Sequence, residues 1–117
     1  MSVVDFQIKV RESGDVRIVD LDGRLTIGEA SDRLNEVLGG LAEKGARKIL
    51  VNLNGVPQID SSGISTIVRN SITLGRDGGS LRLVCKAGRV REALSVTRLV
   101  EAIPTFDSES AALASFH

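Results

Sequence analysis

The sequence has no Trp and no Tyr, one Cys, one His at its last position, and no excess charge of either sign. Each shortage removes a class of function. Fifteen basic against fifteen acidic side chains give zero formal charge, so the attraction that dominates nucleic-acid binding is missing. Three Phe as the whole aromatic complement leave little surface for base stacking. With His117 the only imidazole, a His-based triad or metal cluster has nothing further to draw on. Cys85 alone allows no intramolecular disulfide, and its place in the apolar run Leu81-Arg82-Leu83-Val84-Cys85 reads as a small core residue. No segment approaches the ~20 apolar residues of a membrane helix. Met1 to Phe6 lack the basic start and apolar stretch of a signal peptide. The expectation is a cytoplasmic protein with no direct membrane insertion, no direct nucleic-acid contact, no metal, no cofactor and no catalytic residue.

What remains is a chain of 117 residues, long enough to bury roughly two-thirds of its unfolded surface in one core. No linker, repeat or low-complexity stretch divides it, so residues 1–117 read as a single domain. Asp5 to Val10 alternate, with Phe6, Ile8 and Val10 on one side, and the Gly14-Asp15 turn leads to Val16–Leu21, predicting a hairpin. Ile27, Ala30, Leu34, Val37, Leu38 and Leu41 recur at helical steps. Thr26 and Glu29 have capping-box spacing at the start of that helix. Gly39-Gly40 inside it reads as an early end or a close packing contact, and Gly45 as the stop. Lys48–Leu53 is a near-continuous apolar run, the mark of a buried central strand.

After the loop Asn54–Gln58, helical spacing returns at Ile64, Ile67, Val68 and Ile72, and Gly78-Gly79 ends it. Ser80–Cys85 predicts a further strand. Val90, Ala93 and Leu94 mark a short helix with Arg89, Arg91, Glu92 and Arg98 turned outward. Ala102-Ile103-Pro104 reads as an edge strand, and Asp107 or Ser108 as the cap of a last helix through Phe116. The predicted fold is α/β: a mixed sheet of four to five strands with about four helices packed against it. Right-handed crossovers bring the end of the central strand and the Asp60 loop to one rim.

Asp60-Ser61-Ser62-Gly63 joins the loop to the second long helix. Small polar residues are expected there as helix caps, worth roughly 1 kcal/mol. The same helix end presents free N–H groups and partial positive charge, an environment that suits a phosphate. Phosphorylation there would add about two negative charges beside Asp60 and change the surface offered to a partner without unfolding the domain. Nucleophilic catalysis fits poorly: the elbow pattern wants Gly two residues before the Ser, where Ile59 and Asp60 stand, and no internal His supplies a base.

Lys48–Val56 running into Ile59-Asp60-Ser61-Ser62-Gly63-Ile64 resembles the STAS domain signature of bacterial anti-sigma-factor antagonists. Asp22-Gly23-Arg24-Leu25 and Pro104-Thr105-Phe106-Asp107-Ser108 fall where that family has similar segments. The resemblance covers almost the whole chain. It implies a partner-switching role in transcription control: an anti-sigma factor that is also a serine kinase binds the unmodified protein and phosphorylates the second Ser of the signature, Ser62. A Ser/Thr phosphatase then resets it. The implied partner-binding residues are Thr26, Asp60, Ser61, Ser62, Gly63 and Ile64, with Gly63 allowing close approach of a partner's backbone. Where many antagonists carry an Asp before the first helix, this chain has Thr26. A monomer or weak dimer is expected for a switch of this kind. The same fold implies an alternative, a scaffold subunit of a stress-signalling assembly or of a lipid-transport complex with a membrane ATPase.

Overall fold

The computed structural model describes residues 6–116. The expectations placed on Asp5 and on His117 lie outside them. Strands β1 (Gln7–Ser13), β2 (Val16–Asp22), β3 (Lys48–Gly55), β4 (Ser80–Val84) and β5 (Thr105–Phe106) form one sheet in the order β1-β2-β3-β4-β5. β1 runs antiparallel to β2, and all other neighbours are parallel. The helices are α1 (Glu29–Glu43), α2 (Ser61–Arg76), α3 (Arg89–Val96), α5 (Glu109–Ala114) and a single turn, α4 (Leu99–Ala102). The mixed sheet of four to five strands and the central place of β3 are as the sequence predicts.

Strand alternation divides the core in two. Val19, Leu21, Ile49, Val51, Leu53, Leu81 and Leu83 face α1, α2 and α3 through Leu34, Leu38, Ile67, Leu74 and Leu94. Their neighbours in sequence, Val16, Ile18, Leu50 and Val84, face α5 through Ala112 and Leu113, and Phe116 just beyond the helix packs on the same cluster. Both faces of β3 are therefore covered, which is why its sequence is nearly continuous in apolar residues. Cys85 belongs to the larger core, and burial pushes its thiol pKa up.

Several local expectations are corrected. Thr26 and Glu29 do not form a capping box: the residue before α1 is Gly28, at φ 103°, and no side chain caps the helix. Ile27 and Ile72 leave the apolar faces assigned to them and are exposed, because α1 begins only at Glu29 and the buried face of α2 passes instead through Gly63, Thr66, Ile67 and Leu74. Thr66 tolerates burial because its hydroxyl donates to the Ser62 carbonyl at 3.0 Å. Gly39 and Gly40 neither end α1 nor make a close contact, since an added Cβ at either would meet nothing within 4 Å. The edge strand lies at Thr105–Phe106 rather than Ala102–Pro104; Ala102 closes α4, and the Pro104 carbonyl accepts from Leu83 N–H at 2.9 Å. Arg91 is turned inward rather than outward, donating to the Cys85 carbonyl at 2.7 Å and to Asp107 at 3.2 Å. Of the two candidate caps for α5, Ser108 is the one used, accepting from Ala111 N–H.

Candidate functional site

The carboxyl ends of β2 and β3 place the two loops that precede α1 and α2 side by side. Leu25 and Ile59 form a parallel bridge between those loops, with Leu25 N–H donating to the Gln58 carbonyl at 2.9 Å and Asp60 N–H to the Leu25 carbonyl at 3.3 Å. Asp60 then joins them through its side chain. One carboxylate oxygen, Oδ1, accepts from Gly63 N–H at 3.0 Å and caps α2; the other, Oδ2, accepts from Ile27 N–H at 2.9 Å. Burial acts to raise the Asp60 pKa, but the N–H groups of Gly63, Ile27 and Ser62 outweigh it and hold the carboxyl below its usual range. Asp60 is thus a fixed negative charge with a structural task.

Gly63 is buried against the same loop. A Cβ there would come within 2.7 Å of the Leu25 carbonyl oxygen and 2.8 Å of Leu25 Cγ, so only Gly fits. The space expected to admit a partner's backbone is filled by Leu25 and Ile59 of this chain. Ile64 is half-buried and packs on the main core. Thr26 is half-buried; its carbonyl accepts from the backbone N–H and the hydroxyl of Ser31. The two serines differ. Ser61, at the first position of α2, is exposed, whereas Ser62 is half-buried.

Between the starts of α1 and α2 lies a cleft of about 350 Å³, lined by Ile27, Gly28, Ser31, Asp32, Asn35, Ser61, Ser62, Ser65, Thr66 and Arg69. It brings Ser61 and Ser62 together with Ile27, which the sequence pattern assigned to the core, and with Arg69, which it did not single out. Arg69 follows Ser62 by seven residues and Thr66 by three, so the three share one stripe of α2. That stripe was legible as a polar i, i+4, i+7 pattern beside the apolar one. Among the described residues no group of three His, Cys, Asp or Glu side chains is placed to hold a metal ion, and no helix is long and apolar enough to cross a membrane.

Comparison with known proteins agrees with this architecture. Residues 7–112 match the STAS domain family. A Thermotoga neapolitana protein, named as a homolog of the anti-sigma factor antagonist TM1081, is 33% identical over 108 residues, covering 92% of this chain and 94% of its own length. The crystal structure described as the Thermotoga maritima anti-sigma factor antagonist superimposes with a TM-score of 0.86 at 28% identity over 92% of each chain. The Bacillus cell-fate determinant SpoIIAA in its phosphorylated form shares the fold, with a TM-score of 0.72 at 18% identity over 96% of this chain and 99% of that one. The match over nearly all of the sheet and its helices, together with the Asp60-Ser61-Ser62-Gly63 turn capping α2, shows that the chain belongs to the STAS domain family.

Proposed function

We propose that this chain is an anti-sigma-factor antagonist: a regulatory, non-catalytic protein that binds an anti-sigma factor with serine-kinase activity through the rim around Asp60 to Ile64 and Thr26. It is released by phosphorylation in that turn and reset by a Ser/Thr phosphatase. The observation that carries this reading is the serine turn itself. Two hydroxyls stand at the first turn of α2, beside a carboxylate already committed to backbone N–H groups, at the mouth of a polar cleft. The names of the relatives support the role, because both the 33% identical protein and the 28% identical structure are called anti-sigma factor antagonists.

The phosphate acceptor in this reading is Ser62, the second serine of the signature, which lines the open cleft beside Ser61. A phosphate there stays in the field of the free N–H groups of α2, so the helix tolerates it while the surface changes charge. Incubation with the kinase-type anti-sigma factor of the same genome, followed by mass spectrometry, is expected to find the phosphate on Ser62. Ser62→Ala is expected to abolish it and Ser61→Ala to retain it. Phosphate found only on Ser61 would overturn this choice of acceptor, and no phosphate on either would overturn the switch.

A further inference from the structure

Ile27 departs furthest from its sequence pattern. Its spacing to Ala30 and Leu34 is that of a core position, yet it is 77% exposed. Isolated exposed apolar residues are ordinary, and Val96 at 84% is another. Ile27 differs in how it is held. Its N–H donates to Asp60 Oδ2 at 2.9 Å, the same carboxylate that caps the serine helix through Gly63. On one side of it Leu25 is fully buried and hydrogen-bonded to Gln58. On the same side the Thr26 carbonyl takes the Ser31 hydroxyl at 2.9 Å, and on the other the Gly28 carbonyl takes Asp32 N–H at 3.0 Å. The side chain therefore leaves a backbone fixed at both ends, at the lip of the cleft that Ser61 and Ser62 also line.

A rigid, water-exposed aliphatic side chain gains by being covered, and its backbone loses little further freedom when it is. That is the build of an interface anchor. We infer that Ile27 is the apolar anchor by which the unmodified chain holds its protein partner, and that Asp60 couples this anchor to the serine turn. The inference rests on the reading that the rim binds an anti-sigma factor. The occupant is an apolar pocket on that protein, seated over the start of α1 and the cleft. It follows how a phosphate breaks the contact. Two added charges at Ser62 would border a patch that must be dried on binding, and an unpaired charge taken from water there is costly.

The test compares the purified anti-sigma factor binding to the wild type, Ile27→Ala, Val96→Ala, Asp60→Asn and the Ile27→Ala/Asp60→Asn double variant, with circular dichroism melting of each. Ile27→Ala is expected to bind at least about tenfold more weakly, mainly through faster dissociation, with an unchanged melting temperature. Val96→Ala is expected to bind as the wild type does. Asp60→Asn keeps an oxygen to cap α2 but offers no second acceptor to Ile27 N–H, so it weakens binding, and the double variant loses little beyond Ile27→Ala alone. Ile27→Ala binding as tightly as the wild type would overturn the anchor while leaving the functional reading intact. Losses that add in the double variant would overturn the coupling through Asp60. A wild type that binds no anti-sigma factor would instead remove the functional reading, and this inference with it.

Discussion

At the scale of single residues, Asp60 carries the most structure for its size. It ends one loop, starts α2 and fixes the loop before α1, all through two oxygens. Asp60→Ala is therefore expected to cost about 1–2 kcal/mol, the upper range for losing an N-cap, read as a lower urea midpoint; Asp60→Asn keeps the cap and costs less. The pH dependence follows from the direction of its pKa. The folded value lies below the usual 3.8, so the stabilisation is fully present above the unfolded pKa and is lost as pH falls through the folded one. Stability curves of the wild type and Asp60→Ala should separate near neutrality and converge in acid. Gly63 shows the complementary constraint: the Gly of the signature is required by Leu25 and Ile59 of the same chain, so its place in the motif needs no partner to explain it.

At the scale of elements, what could be read from the sequence followed from periodicity wherever one face of an element is buried. The core faces of α1 and α2 were legible for that reason, and β3 was legible because both of its faces are buried and its apolar run is nearly continuous. The misplaced residues stand where a local backbone event outranks the pattern. α1 starts late because Asp60 takes Ile27 N–H and Gly28 turns at positive φ, neither of which apolar spacing encodes. β5 starts three residues later than expected because Ala102 completes a helical turn and the residues paired with β4 begin at Thr105. Within the site, the Asp-Ser-Ser-Gly turn was legible as a helix start, whereas the exposure of Ile27 and the cleft it shares with Ser62 depend on how two distant loops meet. Gly39 and Gly40 offer an element-scale test. Both sit in α1 at helical φ with empty space around them. Replacing either by Ala should stabilise the protein by about 0.5–1 kcal/mol, seen as a higher melting temperature with no change in partner binding.

At the scale of the whole molecule, the balance of fifteen basic and fifteen acidic side chains acquires a use. A near-neutral protein has no strong field of its own, so a single phosphate, taking the net charge from zero to about −2, would be a large relative change at one end of the sheet. The fold keeps that change local. The serine turn stands at the start of α2, beside the loops at the carboxyl ends of β2 and β3 and outside both cores, and phosphorylation there would alter a surface rather than the packing. Binding of the anti-sigma factor to unmodified and to stoichiometrically phosphorylated protein, titrated side by side in a calorimeter, tests this most directly. The unmodified form is expected to bind and the phosphorylated form to bind about tenfold to a hundredfold more weakly; equal affinities for the two forms would contradict the switch.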